Sequence, residues 1–282
     1  MTGEPLPLRH ALVLGLIQGP SELLPISSSG HLALVPRLFG WRYTRLDPEL
    51  RKSFEVALHA GTALALLIGL RDEVEEYLTH FSRHNLLSLT LSFVPAAIIA
   101  YRYERQIEQR LSEPVAVAAA LITGSVAMVL ADGRPQDRRR EDTRLADAVV
   151  IGFAQACALA PGISRNGATL TAARWRRFTR RDANVISRQI ALPVIVGAAG
   201  LKGVRLLARR DEVPRSVVRG MVAGATAAFG STLVSMRLIA MLERSRSLMP
   251  YAVYRAGLAG AVLAKVSRSR RLPGGSHGSR GL

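Results

Sequence analysis

The chain has 282 residues, 49% of them hydrophobic but only 5% aromatic, and a formal net charge of +17. Mean hydropathy is +0.18 although 21% of residues are charged. Apolar and charged residues are therefore segregated along the chain, which argues against an ordinary soluble domain and for a protein that crosses a membrane several times. The basic excess comes without a nucleic-acid motif; its arginines mostly flank apolar segments, as residues facing anionic headgroups do. Cys157 is the only cysteine, which excludes an intrachain disulfide, and FAQACALA suggests a small buried residue there.

In chain order, the first apolar stretch, Leu6–Leu24, carries no signal-cleavage pattern, runs into PISSSGH and resumes at Leu32–Trp41. Each half is shorter than the ~17–25 residues a spanning helix needs. A re-entrant helix–loop–helix pair is predicted, because irregular backbone at membrane depth survives only where protein or a watery cavity satisfies it. Three crossing helices follow at Phe54–Leu70, Leu86–Tyr101 and Pro114–Ala131. A second broken stretch, Leu145–Ala160, runs into PGISRNGAT and resumes near Leu170–Trp175. Three more crossings follow at Ala183–Leu201, Gly220–Met236 and Met249–Ala264, the first interrupted by Ser187-Arg188-Gln189 and the last holding Arg255. The end, Val266–Leu282, is basic, rich in Gly and Ser, and reads as a disordered tail.

The two broken stretches match each other at a spacing of 137 residues: Gly15 with Gly152, Gln18 with Gln155, Ile26 with Ile163, Ser27 with Ser164, Gly30 with Gly167. One re-entrant pair plus three crossings makes each half, and an odd number of crossings starts the second half on the opposite face. The expected fold is an all-α polytopic membrane protein of about six crossing helices and two re-entrant pairs in an inverted repeat. Its halves are about 6–131 and 145–265, within a single domain 1–265. Lysine and arginine are shared too evenly between the two faces to give the orientation.

Chemistry concentrates in the two polar breaks. Arg165 is costly at membrane depth. Beside it stand Ser164, Asn166 and Thr169, with Gly162 and Gly167 giving the backbone unusual freedom. A guanidinium fork among hydroxyls and main-chain N–H groups reads as a phosphate cradle. The first break offers Ser27, Ser28 and Ser29 as hydroxyls, and His31 as acid, base or nucleophile. Glu22 and Gln18, one helical turn apart, suit a hard divalent cation shared with phosphate oxygens; Glu22 equally suits orienting His31. Glu55 and His59 share a helix face and are expected behind this group. His10, His80, His84 and His277 read as surface residues.

QGPSELLPISSSGH and PGISRNGAT, together with FEVALHAGT and MPYAVYR, resemble the signature segments of the bacitracin-resistance type undecaprenyl-pyrophosphate phosphatases over essentially the whole chain before the tail. The resemblance implies a multi-pass hydrolase of the bacterial inner membrane, with its site facing the outer side. It would convert undecaprenyl pyrophosphate to undecaprenyl phosphate and inorganic phosphate, recycling the carrier for peptidoglycan and giving bacitracin resistance. It also implies a Mg2+ or Ca2+ cofactor at Glu22 and Gln18. Ser28 and His31 match its nucleophile or proton donor, Arg165 its phosphate-binding arginine, and Ser164 and Thr169 that arginine's neighbours. Asn166 stands where the family usually has Ser, Pro20-Ser21 where it has Leu-Thr, and Ser187-Arg188-Gln189 where it is apolar near Ser-Phe-Leu. The implied partners are a polyprenyl pyrophosphate and the bilayer, without nucleic acid, with a homodimer as an open assembly. A transporter or flippase of a phosphorylated lipid is the rival reading, since broken helices in inverted repeats also build transporters.

Overall fold

The computed structural model describes residues 6–208, 215–244 and 247–271. Among them every regular element is helical: α1 (Leu8–Leu23), α2 (Ser28–Leu38), α3 (Pro48–Gly69), α4 (Arg71–Thr79), α5 (Arg83–Leu111), α6 (Pro114–Asp132), α7 (Leu145–Cys157), α8 (Arg165–Trp175), α9 (Arg180–Ala208), α10 (Arg215–Arg244) and α11 (Met249–Arg271). Local chemistry sets their starts. The Asp47 side chain accepts the Glu49 amide at 2.9 Å ahead of Pro48, and Ser82 accepts the Asn85 amide at 3.2 Å.

All six predicted crossings are helices. Within the described residues, Arg83–Tyr103, Pro114–Asp132 and Val217–Ile239 are long and apolar enough to cross a membrane. A fourth span results if α3 and α4, bent by 67° at their junction, count as one. Large apolar side chains such as Leu64, Val126, Leu130, Phe153, Val222 and Val234 lie exposed on the outer surface, where lipid rather than water suits them. Interior side chains pack in separate clusters, one around Leu14, Phe54, Leu58 and Met221, another around Met128, Ile151, Leu170 and Phe178.

Helix α1 packs on α10 and α7 on α5, while α3 packs on α9 and α6 on α11. The first two contacts are very close. A Cβ at Gly15 would meet the backbone carbonyl of Gly224, and one at Gly152 would sit 2.7 Å from the Leu91 carbonyl oxygen. Small residues at such crossings let backbones approach, as membrane helix pairs require.

Four details depart from the sequence reading. Ser28, Ser29 and Arg165 are not loop: α2 starts at Ser28 and α8 at Arg165, with Ser27 and Ser164 as their caps. His10 is buried, its ring stacked on Trp41 at 4.6 Å, because the segment after α2 folds back over the start of α1. Cys157 is exposed, since α7 ends there just before the break. Helix α11 runs past Val266 to Arg271, and the rest of the basic tail lies outside the described residues, as does His277.

Gly152→Ala should lose about 1–3 kcal/mol, the usual cost of overpacking. Gly257→Ala, where a Cβ meets nothing within 4 Å, should be neutral or gain up to about 1 kcal/mol. Thermal unfolding in detergent measures both. Equal stability of the two variants would show that the α5–α7 approach is not tight.

Candidate active site

The two broken helix pairs meet inside the bundle, and the meeting is made of side chains that satisfy interrupted backbone. The Ser27 hydroxyl accepts the Gly30 amide at 3.1 Å and caps α2; the Ser164 hydroxyl accepts the Gly167 amide at 3.0 Å and caps α8. Ser27 itself lies at φ +77 and Gly162 at φ +99, so each break holds one residue in left-handed backbone. The Gly162 amide donates to the Ser29 hydroxyl at 3.5 Å, and the Asn166 side-chain nitrogen donates to the Leu23 carbonyl at 2.6 Å. Each half thus closes the break in the other.

A cavity of about 320 Å³ lies against this junction. Its walls include Ser27, Ser28, Ser29, Ser164 and Arg165, so the N-termini of α2 and α8 both open onto it. Two helix N-termini and a guanidinium make an anion site. The opposite wall is one face of α3, with Lys52, Glu55, Val56 and His59. Glu22 lines the cavity as well. One carboxylate oxygen pairs with the Arg165 Nη2; the other accepts the Ser28 hydroxyl at 2.6 Å and lies 3.8 Å from His59 Nδ1. Tyr43, beside α3, donates its hydroxyl to Glu55 at 2.9 Å; burial, and then the Glu55 charge, push the phenol well above its usual pKa, so it stays a donor.

Placement separates the candidate residues. Glu22, Ser27, Ser28, Ser29, Ser164 and Arg165 share the cavity, and Glu55 and His59 line it directly rather than standing behind it. His31 does not line it. The ring is 3% exposed, with Nδ1 at 2.7 Å from the Ser27 carbonyl and Nε2 at 2.7 Å from the Tyr254 hydroxyl, and it stacks on the Tyr254 ring. A nitrogen facing a carbonyl must carry the proton, so Nδ1 donates to Ser27, and Nε2 shares a hydrogen bond with the Tyr254 hydroxyl. Asn166 has both polar atoms occupied, its nitrogen on Leu23 and its oxygen accepting the Ser187 hydroxyl at 2.9 Å. Thr169 is buried, 2.5 Å from the Ser187 hydroxyl, and Gly167 faces Arg255 rather than the cavity. These last three residues brace the start of α8 from behind.

Tyr254 is not singled out by the sequence, and Arg255 only as a charge in the last crossing, although MPYAVYR carries the signal. Arg255 is 1% exposed; its Nη1 reaches the Pro25 carbonyl and its Nη2 the Gly162 carbonyl, each at 3.3 Å. Gly124 and Gly167 leave the room it occupies. One side chain therefore ties both breaks. Lys52 was also missed, one turn before Glu55 on the same face of α3.

Gln18 turns its amide nitrogen toward Glu22 at 3.4 Å and His59 at 3.2 Å, leaving its oxygen buried without a partner. Among the described residues no three His, Cys, Asp or Glu side chains gather into a metal site. One carboxylate and one orphaned amide oxygen, exchangeable with its nitrogen by a half-turn, fit a hard cation that takes its other ligands from phosphate oxygens.

The helices and this cleft define a polytopic membrane protein with an internal cleft that carries a hydroxyl beside a carboxylate and a guanidinium. The chain belongs to the family described as Bacitracin resistance protein BacA, whose model matches residues 11–261. It is 39% identical over 267 residues to an undecaprenyl-diphosphatase of Geobacter metallireducens, covering 89% of this chain and 95% of that protein. Similar proteins of the same name come from Geobacter sulfurreducens, at 36% identity over 91% of this chain and 97% of the relative, and Campylobacter concisus, at 32% over 88% and 95%.

Arg255→Leu strips the Pro25 and Gly162 carbonyls of their donor, and each buried carbonyl left unpaired costs about 1–3 kcal/mol. A drop in unfolding temperature of matching size is expected, and Arg255→Lys should not restore it, because one ammonium lacks the fork that spans both oxygens. An unchanged unfolding temperature for Arg255→Leu would remove Arg255 as the tie.

Proposed function

We propose that this protein hydrolyses undecaprenyl pyrophosphate to undecaprenyl phosphate and inorganic phosphate in the bacterial inner membrane, and thereby supports bacitracin resistance. The observation that carries this reading is the convergence of Ser28 and Arg165, the first residues of two helices, on Glu22 at the edge of a cavity built for an anion. Membership of the family and relatives named for this reaction agree with it. A flippase would need the anion site but not a hydroxyl held at 2.6 Å from a carboxylate.

The terminal phosphate binds between the N-termini of α2 and α8 and exchanges contacts with Arg165. Ser28 Oγ forms a bond to the terminal phosphorus while the bridging P–O bond breaks, its electron pair leaving on the oxygen of undecaprenyl phosphate; the Ser28 proton passes to Glu22. Water then cleaves the Ser28 phosphoester, giving inorganic phosphate and returning the proton to the serine. Arg165, the helix N-termini and Lys52 offset charge on the transferring oxygens. A magnesium or calcium ion held by Glu22 and Gln18 would supply further neutralisation. His31, with both nitrogens engaged, positions the Ser27 carbonyl and hence the start of α2.

Two further proposals complete this picture. The halves 6–131 and 145–265 form an inverted repeat, supported by α1 on α10 mirroring α7 on α5 and by the matched Ser27 and Ser164 caps. The cleft opens outward; Cys157, the chain's sole cysteine, is exposed beside Ala158 of the cavity wall. An impermeant maleimide should therefore label it in intact spheroplasts, and labelling only after lysis would reverse the orientation.

Phosphate release from undecaprenyl pyrophosphate by the purified protein, with magnesium, with calcium and with chelator, tests the reaction. Arg165→Ala and Ser28→Ala should each lower kcat/KM by about 100–1000-fold, the scale for losing a group that meets developing charge. Chelator should lower it as well. Wild-type release no greater than that of these variants would leave lipid transport as the function.

A further inference from the structure

Beyond the anion cavity, a second gap of about 30 Å³ opens on the far side of Glu22 and Arg165. Beside Glu22, Arg165, Asn166 and Arg188 its walls are apolar: Leu23 of α1, Leu66 of α3 and Leu70 just after it, Ala191, Leu192 and Ile195 of α9, Ile239 of α10. Ile195 lines both spaces, as do Glu22 and Arg165. The gap is a flaw in an apolar cluster formed by the same side chains, and it is too small for anything larger than about one water.

One charged residue breaks this apolar lining from α9, and it belongs to the segment where the sequence departs from the family. Arg188 lines the gap, and its Nε and Nη2 reach the Glu73 carboxylate at 3.2–3.3 Å. Glu73 lies on α4, just past the 67° bend at the end of α3, and α4 buries none of its own residues. The two-point pair therefore clasps α4 to α9 across the α3–α9 seam, next to Leu70 at the end of the gap. The arginine is largely enclosed and the glutamate half exposed.

We propose that the apolar gap is where the first isoprene units of the prenyl tail lie, and that the Arg188–Glu73 clasp is a gate across it that selects for the tail. This rests on the lipid-pyrophosphate reading above. A pyrophosphate seated at Ser28 and Arg165 carries its tail on the side away from the attacking hydroxyl. The adjoining apolar wall between α3, α9 and α10 offers the tail a place that the polar cavity does not. A gap of this size admits a tail only if α3 and α9 part, and the clasp spans that seam. The clasp itself takes in none of Glu22, Ser28 and Arg165. A substrate with a very short tail, such as isopentenyl pyrophosphate, does not need the gap.

The test compares undecaprenyl pyrophosphate with isopentenyl pyrophosphate. Arg188→Gln should lower KM for the long-tailed lipid about two- to fivefold, the worth of a partly exposed ion pair, with kcat and short-tail hydrolysis unchanged. The charge swap Arg188→Glu with Glu73→Arg should return KM toward wild type. In a Cys157→Ser background, Glu73→Cys and Arg188→Cys joined by a short bis-maleimide should cut long-tail activity more than tenfold and spare the short-tail reaction. Equal loss on both substrates would reduce the clasp to a structural brace, and no loss on either would remove the gate. Failure of wild type to release phosphate from either lipid would instead overturn the hydrolase reading itself.

Discussion

A helix broken inside an apolar bundle leaves backbone N–H and C=O groups where no bulk water can satisfy them. This chain breaks two helix pairs and must satisfy both breaks from within. It does so reciprocally. Gly162 of the second break donates to Ser29 of the first, Asn166 donates to Leu23, and Arg165 pairs with Glu22. Arg255, from the last helix, reaches a carbonyl in each break. Neither break has a stable environment without the other, so the cleft between them is a consequence of how the backbone is satisfied. The site is where it is because that is where two interrupted helices had to meet.

Charge balance follows from the same enclosure. Two helix N-termini, Arg165 and Lys52 would leave an empty cleft strongly positive, which is costly beside apolar walls. Glu22 answers Arg165 directly, and Glu55 stands on the same wall as Lys52. A carboxylate in an anion site is thus no contradiction. It holds the guanidinium and the Ser28 hydroxyl in position, and in the proposed reaction its second oxygen is already placed against the hydroxyl that would lose a proton.

Much of this was legible in the sequence because it depends on contrast. Apolar runs of spanning length became helices, and Pro, Gly and hydroxyl residues inside such runs marked both breaks. What was not legible depends on direction and on long-range approach. The SSS run looks like loop, but Ser27 caps a helix that begins at the next residue, and caps are set by backbone angles that composition does not reveal. Helix α4 lies in a stretch where the sequence suggested no element, and none of its residues is buried. Spacing placed His31 near the site but could not say that its ring turns outward to Tyr254, over two hundred residues away. Nor could it say that His59, expected behind the site, forms its wall. Arg255 was visible as a charge in an apolar segment; its partners are backbone carbonyls, which leave no trace in a sequence.

Residues 137 apart do the same work at some positions and different work at others. Ser27 and Ser164 do the same work, each capping a helix through a glycine amide three residues on. Gly15 and Gly152 each let a neighbouring backbone approach. Gln18 and Gln155 already differ: the first turns to Glu22 and His59, while the second donates to the Ser92 carbonyl at 2.9 Å and only holds α7 to α5. At the next step the difference becomes chemical. Ser28 corresponds to Arg165, a hydroxyl to a guanidinium, and both donate to Glu22, whose own counterpart is Leu159. His31 corresponds to Ala168. Backbone support is duplicated because two breaks need it. Glu22 has no acidic counterpart 137 residues on, and the two helix starts supply different groups to it, so two similar breaks make one site rather than two.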